Sequence, residues 1–171
     1  MQPAIYLVTG PMAAGKSTVS RLLAQRFERG VYLEGDLFRR SIVSGRAEMT
    51  PNASTEALEQ LRLRYALGAA TADAYHRAGF AVVLEDVVAG PMLEEYRSMI
   101  QGEPCHVIVL LPTYEALVAR ESSRPETGYT DWTVEELHGV FATDTPRIGL
   151  WLDTSDQTPE ETVDAILSIE S

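Results

Sequence analysis

Short apolar runs rich in β-branched residues alternate with longer segments of helical periodicity along the chain. The short runs are typical of buried strands, and they lie at residues 5–9, 31–34, 80–84, 106–111 and 148–152. In the longer segments apolar residues recur every three or four positions, as in amphipathic helices. We expect helices at residues 16–26, 36–44, 55–79, 91–100, 133–141 and 158–169, with another after Thr113. This alternation predicts a three-layer α/β/α sandwich with about five parallel strands and right-handed crossovers.

Local signals mark several boundaries of these segments. Thr133 followed by Glu136 is a capping-box pattern, which places a helix start there. Residues 46–54 and 122–131 are polar and contain proline or glycine, so we expect loops at both places, and the second could move. Because no repeat, low-complexity tract or linker interrupts the pattern, we expect a single domain over residues 1–171.

The most informative segment joins the first predicted strand to the first predicted helix. It reads GPMAAGKS, the G-x-x-x-x-G-K-S pattern of a phosphate-binding P-loop. Its glycines let backbone N–H groups turn inward around an anion, and the following helix directs its positive end at the same point. Lys16 is placed to neutralise β- and γ-phosphate charge, and Ser17 to ligate Mg²⁺. We expect a nucleotide to bind on Gly10, Pro11, Met12, Ala13, Ala14, Gly15, Lys16, Ser17 and Thr18.

Composition narrows the choice of partners. A formal net charge of −11 argues against general affinity for a nucleic-acid backbone, so anionic ligands must be held by local cations and Mg²⁺. The single cysteine, Cys105, allows no intramolecular disulfide. No apolar run approaches the ~20 residues of a membrane span. We therefore expect a soluble cytoplasmic protein, monomer or homodimer, with no nucleic-acid or membrane partner.

Polar residues that follow the other strands form a second group of candidates, because ligands of parallel sheets bind at the carboxyl ends of the strands. Asp36 follows the second strand, where a carboxylate can accept a proton from an acceptor hydroxyl, bind Mg²⁺, or only cap a helix. Arg39 and Arg40 are candidates to bind an anionic acceptor or to pair with acids. Glu85 and Asp86 follow the third strand; alternation points them to opposite faces, and we favour Asp86 for the acceptor or the metal.

Two arginines lie beside the predicted mobile loop. Arg120 and Arg124 are placed where one could stack on a base and the other could stabilise charge on the transferred phosphoryl group. The alternative is that both form surface ion pairs with acids such as Glu121 or Glu126.

The P-loop, Gly35-Asp36 and the segment 120–124 together resemble the small P-loop kinases, which include adenylylsulfate kinase, gluconate kinase, shikimate kinase and chloramphenicol phosphotransferase. Residues 148–163 are similar to the same group. The general pattern most resembles the chloramphenicol phosphotransferase-like members. This resemblance implies a sheet of the nucleoside-monophosphate-kinase type, with strand order 2-3-1-4-5, and it implies ATP as donor.

The resemblance also assigns roles. In the chloramphenicol phosphotransferase-like group an aspartate after the second strand acts as base toward the acceptor hydroxyl, and Asp36 matches its position. Arg120 matches the lid arginine near the adenine, and Arg124 matches one that contacts phosphate. The loop and long helix on the acceptor side match no particular member.

The leading hypothesis is an ATP- and Mg²⁺-dependent kinase that phosphorylates a hydroxyl of a small molecule, with an antibiotic or other metabolite as one candidate acceptor. A lid near residues 122–133 would close over an acceptor-side helical region near 36–79. One alternative is a nucleoside or nucleotide kinase. Another is a nucleotide-dependent switch that hydrolyses ATP or GTP slowly, although the chain has no N-K-x-D segment for guanine selection.

Overall fold

One parallel sheet forms the centre of the protein, as the computed structural model shows for residues 1–170. Its strands are β1 Ile5–Thr9, β2 Gly30–Glu34, β3 Ala81–Glu85, β4 Cys105–Leu110 and β5 Leu150–Leu152. They pair in the order β2-β3-β1-β4-β5, all parallel. The α/β class, the five predicted strands and the strand order implied by the resemblance are confirmed.

Helices connect the strands in sequence. They are α1 Lys16–Gln25, α2 Asp36–Arg40, α3 Thr55–Arg77, α4 Met92–Met99, α5 Tyr114–Ser122, α6 Val134–Gly139 and α7 Pro159–Leu167. A π-helical turn, Val140–Asp144, follows α6, and a 3-10 turn, Ser168–Glu170, follows α7. None of the helices within residues 1–170 combines the length and the apolar character that crossing a membrane requires.

The prediction of a helix through residue 44 is wrong, because α2 ends at Arg40. Ser41 caps it and its hydroxyl donates to Leu37 O at 2.7 Å. The next residues, Ile42 and Val43, are β-branched, and such side chains lose rotamer freedom in a helix. The chain between α2 and α3 is therefore irregular and lies over the sheet end.

The central strand β1 divides the core into two layers. All five of its residues are buried, with Ile5 and Leu7 packed on one face of the sheet and Tyr6 and Val8 on the other. Burial of both faces explains why the strand reads as an unbroken apolar run rather than as an alternating one. Burying each large apolar side chain contributes roughly 1.5–3 kcal/mol, so the core places the carboxyl end of β1 firmly.

Side-chain caps define most helix starts, but α1 differs. Thr133 and Thr158 each form a capping box, as the sequence predicts for Thr133, and Thr113 accepts a hydrogen bond from Ala116 N. At α1 the capping position is Gly15, with φ 88° and no side-chain hydrogen bond to the first turn. Its left-handed conformation suits glycine, and the first-turn N–H groups stay available to a ligand.

A buried hydroxyl ties the end of β1 to the chain after β3. Thr9 Oγ1 donates to Val88 O at 3.1 Å and accepts from Val88 N at 2.8 Å. Thr9 is fully buried, so both Val88 groups depend on this hydroxyl.

We expect Thr9→Val, which keeps the shape and removes the hydroxyl, to destabilise the protein by about 1–3 kcal/mol, because it leaves buried backbone groups unpaired. The measurement is the urea midpoint and slope. The control is Thr143→Val, whose hydroxyl is exposed and bonds Gly139 O within the same helical segment. Equal effects of the two substitutions would contradict this role of Thr9.

Candidate active site

A cleft of about 860 Å³ opens at the carboxyl ends of β1, β2 and β3. The P-loop lies at one end, α2 and the first half of α3 lie at the other, and the segment between α5 and α6 lies over both. The parallel sheet forces this convergence, because the carboxyl ends of all strands lie at the same edge. Most of the predicted site residues line this cleft, including Lys16, Ser17, Asp36, Arg39, Asp86, Arg120 and Arg124.

The P-loop wraps around the Lys16 side chain. Ala13 and Gly15 both have positive φ angles, 66° and 88°, which curl the backbone toward the cleft. Lys16 Nζ donates to Pro11 O at 2.9 Å, so the ammonium lies across the mouth of the loop. The arrangement is the concave nest of N–H groups that binds phosphate in P-loop proteins.

Lys16 is only 7% exposed, and this burial has an electrostatic consequence. Loss of hydration lowers the pKa of Lys16 to about 8, although the carboxylates of Glu85 and Asp86 oppose the change. Lys16 is also the chain's only lysine. An anion bound in the loop would favour the charged ammonium, so ligand binding and protonation of Lys16 are coupled.

Glu85 is the last residue of β3 and Asp86 follows it. Of these two acids, Glu85 faces the P-loop. Ser17 Oγ donates to Glu85 Oε1 at 3.3 Å, and Tyr32 OH donates to Glu85 Oε2 at 3.1 Å. A hydroxyl next to one carboxylate suits Mg²⁺, which usually takes one or two carboxylates and completes its shell with phosphates and waters. Within residues 1–170 no cluster of three or more His, Cys, Asp or Glu side chains is arranged to hold a metal ion.

Asp86 points instead toward the end of the cleft that α2 and α3 form. Its carboxylate pairs with Arg64 through two hydrogen bonds, one of them from Nε at 2.9 Å, and it also accepts from Val87 N at 2.8 Å. Burial raises the pKa of Asp86, and Arg64 opposes that rise. Gly35 packs directly on this carboxylate, where a Cβ would collide with it, so a glycine is needed before Asp36.

Three arginines surround Asp36. Arg39 Nε donates to its carboxylate at 2.6 Å, Arg40 Nε lies at 3.5 Å and Arg64 Nη1 at 3.6 Å. Burial acts to raise the pKa of Asp36, but these arginines outweigh it and the pKa is lowered. Asp36 is thus held ionised at the start of α2, with one third of its side chain exposed to the cleft.

Sequence reasoning missed Arg64, which joins Asp36 to Asp86. It lies on α3 with its side chain 14% exposed. Burial acts to lower the pKa of its guanidinium, but the charge and hydrogen bonds of Asp86, with smaller contributions from Tyr65 and Asp36, together raise it. One signal was available in the sequence. Arg64 follows Leu61 by three residues and directly precedes Tyr65, so it flanks the apolar stripe of α3, where a cation needs a partner.

The lid segment, residues 122–133, packs on the P-loop in this structure. Tyr129 OH donates to Met12 O at 2.6 Å. Glu121, at the end of α5, accepts from Thr127 Oγ1 at 2.6 Å and from Gly128 N at 2.8 Å, which holds the lid's turn together. The sequence did not predict the contact of Tyr129 with Met12. Because of this contact, the position of the lid depends on the position of the P-loop.

The two lid arginines occupy different places. Arg120 Nη2 donates to Thr154 O at 2.6 Å, and its Nη1 lies 3.4 Å from Ala14 O, so it bridges the P-loop and the segment after β5. Arg124 is exposed and pairs with Glu121 at 3.2 Å. Arg40 has its side chain half exposed and also pairs with Glu34 at 3.3 Å.

A parallel sheet in the order 2-3-1-4-5, with a G-x-x-x-x-G-K-S loop after its central strand, defines a P-loop kinase fold. A family model described as an AAA domain matches residues 5–143, and the chain belongs to this family.

Individual relatives agree with that assignment. The cytidylate kinase of Aeropyrum pernix is 27% identical over 173 residues, covering 94% of this chain and 95% of the relative. A sugar kinase from Janibacter sp. HTCC2649 has a similar structure, with a TM-score of 0.70, 19% identity and coverage of 98% of this chain and 94% of that one. Shikimate kinase from Acinetobacter baumannii, solved with shikimate, gives a TM-score of 0.63, 20% identity and coverage of 99% and 93%. At these identities the solved structures establish the fold.

We expect nucleotide affinity to fall as pH rises above 8, by up to about tenfold per unit, because binding the polyphosphate requires the protonated Lys16. Titration calorimetry with ADP between about pH 7.5 and 9.5 avoids the second ionisation of phosphate, near pKa 6. Because Lys16 is the only lysine, lysine-selective ¹³C labelling gives a single side-chain signal. The pKa of Lys16 that this signal reports should rise when ADP binds. Lys16→Met should bind weakly and show no such pH dependence; a free-state pKa near 10.5 would contradict the coupling.

Arg64→Met should destabilise the protein by about 3–5 kcal/mol, because it leaves the carboxylate of Asp86, 0% exposed, without its counter-charge. The double variant Arg64→Met/Asp86→Leu should recover most of that loss, and denaturant unfolding measures both. Arg62→Met is the matched control on the same helix: its pair with Glu95 is exposed and should contribute at most about 1 kcal/mol. Equal losses for the two single variants would exclude a special role for Arg64.

Proposed function

We propose that this protein is an ATP-dependent kinase that transfers the γ-phosphoryl group of ATP to a hydroxyl of a small molecule. The observation that carries the proposal is that the P-loop with Lys16 and the ionised Asp36 open into one cleft of about 860 Å³. Phosphoryl transfer needs a phosphate cradle and a group that orients the attacking hydroxyl, facing the same space. The single-domain organisation over residues 1–171 and the use of ATP and Mg²⁺ are part of this proposal.

In this proposal the nucleotide phosphates lie on residues 10–18. Lys16 and the N-terminus of α1 would compensate their charge. Ser17 and Glu85 would hold Mg²⁺, which supplies further positive charge on the transferring group. The contacts with Ser17 favour Glu85 over Asp86 for the metal, whereas Asp86 acts at the acceptor end through Arg64.

Asp36 would accept a hydrogen bond from the acceptor hydroxyl and orient its oxygen toward the γ-phosphorus. Its lowered pKa makes it a weak base toward a neutral alcohol. That is sufficient in a loose transition state, where the hydroxyl loses its proton late and positioning matters more than basicity. Arg39 and Arg64 would hold the carboxylate in place during the reaction.

Arg120 and Arg124 would act at the nucleotide end. Arg120 lies beside the segment after β5, where it suits contact with the base, and Arg124 in the lid lines the cleft, where it suits the transferred phosphoryl group. The lid, held to Met12 by Tyr129, would exclude water that otherwise hydrolyses ATP. Among small P-loop kinases we place the acceptor chemistry with the chloramphenicol phosphotransferase-like group, whose aspartate acts on a hydroxyl.

A second candidate acceptor is a nucleoside monophosphate. The observation that favours it is the 27% identity to a cytidylate kinase along almost the whole chain. The two candidates, and a slow nucleotide-dependent switch, separate in one assay: ADP release measured with ATP alone, with a panel of hydroxylated metabolites and with nucleoside monophosphates. Stimulation by neither panel would favour the switch.

We expect Asp36→Asn to lower the rate of acceptor phosphorylation by about 10²–10⁴-fold while changing ATP affinity little, because the amide cannot take the hydroxyl proton. The measurements are acceptor-stimulated ADP release and ATP binding. Asp164→Asn is the control, since that carboxylate is exposed on α7 and pairs with Arg26. A rate close to that of the unaltered protein would rule out Asp36 as the residue that engages the hydroxyl.

A further inference from the structure

We propose that the acceptor end of the cleft takes a neutral, largely apolar hydroxyl compound and discriminates against phosphate monoesters and carboxylates. The inference rests on the proposed function and deepens it by naming the charge and character of the acceptor. It follows from three features of this end of the cleft: the balance of its charges, the fixed partners of its arginines and the apolar character of its walls.

The arginines at the acceptor end are already paired with carboxylates. Arg39 and Arg64 line it together with the carboxylates of Glu34, Asp36, Glu48 and Asp86. Arg40, just outside the lining, pairs with Glu34 and Asp36, and Arg46 pairs with Glu48 at 2.7 Å. A phosphate dianion or carboxylate placed there would add negative charge that no free cation of residues 1–170 compensates in a partly dehydrated space, which disfavours binding.

Arg64 is not free to turn to an anionic acceptor. It pairs with Asp86 through two hydrogen bonds and lies 3.6 Å from Asp36. If it left Asp86 for a ligand, a carboxylate with 0% exposure would remain buried without a counter-charge. Breaking one side of a buried ion pair is strongly unfavourable, so this cation belongs to the protein rather than to a ligand.

Arg39 is saturated in a similar way. Its Nε donates to Asp36 at 2.6 Å, and its Nη1 lies 3.0 Å from both oxygens of Glu48. Redirecting Arg39 to a ligand phosphate would remove one cation from two carboxylates beside that phosphate. Glu48 would keep Arg46 at 2.7 Å, and Asp36 would keep Arg40 and Arg64. The guanidinium is one third exposed, so Glu48 is the partner that controls how much of its charge a ligand could use.

The remaining walls of this end are apolar. They come from α2, the loop before α3, α3 itself, α4 and the lid: Phe38, Met49, Leu58, Leu61, Met92 and Trp132. Such walls gain from burying an apolar body and penalise a charged group that loses its hydration there. Further cations line the nucleotide side at the other end, where Lys16 and Arg120 bond backbone carbonyls and Arg124 pairs with Glu121. One end of the cleft thus suits an anion and the other suits a neutral molecule.

The test uses pairs of compounds that share a body and differ by a phosphate: cytidine with cytidine 5′-monophosphate, and benzyl alcohol with benzyl phosphate. They are titrated into the protein saturated with ADP and Mg²⁺, so that the P-loop is already occupied. Lys16→Ala without nucleotide serves as a second background, in which the anion site of the P-loop is weakened. Trp132 lies in the cleft, and Trp151, the only other tryptophan, lies on β5. The indole ¹⁵N signal of Trp132 therefore reports binding in the cleft, and that of Trp151 serves as an internal reference.

We expect the neutral member of a pair to shift the Trp132 signal with an affinity at least about tenfold higher than its phosphate, and to leave Trp151 unchanged. Equal or tighter binding of the phosphates would overturn the inference. So would the absence of binding by both neutral compounds.

A charge-neutralising variant tests the cause. Glu48→Gln removes one partner of both Arg39 and Arg46 and should raise affinity for benzyl phosphate about three- to tenfold at low salt, with little change for benzyl alcohol. Glu59→Gln removes the same charge from an exposed position on α3 outside the cleft and should change neither. An equal gain in both variants, or no gain in Glu48→Gln, would show that the pairing of Arg39 does not set the preference.

The two proposals fail separately. Binding of ADP and preference for neutral compounds, without phosphoryl transfer to any acceptor, would end the proposed function and leave the charge preference standing. Faster transfer to cytidine 5′-monophosphate than to cytidine would leave the kinase activity standing and end the inference on charge.

Discussion

The buried ion pair between Arg64 and Asp86 is the interaction on which the side of the cleft formed by α2 and α3, the proposed acceptor side, depends. Asp86 follows the end of β3, an internal strand, and Arg64 projects from the long helix α3, so the pair joins the sheet to the helix that lies over its carboxyl end. Neither charge is tolerable there alone. Once the pair forms, Arg64 Nη1 also lies 3.6 Å from Asp36 Oδ1. The burial of Asp86 therefore fixes the position of an arginine that helps to hold Asp36 in the cleft.

At the P-loop side of the cleft the positive charge is incompletely compensated. Lys16 is buried with a lowered pKa, and the first turn of α1 has no side-chain cap. Both features are unfavourable for the isolated fold and favourable for binding an anion, because a polyphosphate supplies the missing negative charge and the missing acceptors. The P-loop therefore keeps positive charge that can bind an anion. At the proposed acceptor end the arginines are already paired with acids, so little of their charge is available to a ligand.

Only a few contacts connect the lid and the end of α5 to the carboxyl end of the sheet. Tyr129 bonds the backbone of Met12, Arg120 bridges the P-loop and the chain after β5, and Glu121 organises the turn between them. These hydrogen bonds are partly buried, but each contributes only about 0.5–1.5 kcal/mol, so a segment held by so few of them opens readily. A segment held in this way suits repeated opening for ligand exchange.

The sequence by itself determined the order of strands and helices, the P-loop and the placement of Asp36, because these depend on residues close together in the chain: apolar runs, a fixed glycine–lysine–serine spacing and a polar residue just after a strand. The strand order came from resemblance, and the structure agrees with it. What the sequence could not decide was which of Glu85 and Asp86 faces the P-loop, or that Arg64 reaches both Asp36 and Asp86. Those outcomes depend on contacts between residues 22 or more positions apart. The packing of α1 and β2 beside β3 brings Ser17 and Tyr32 to Glu85, and the packing of α3 on the sheet brings Arg64 to Asp86.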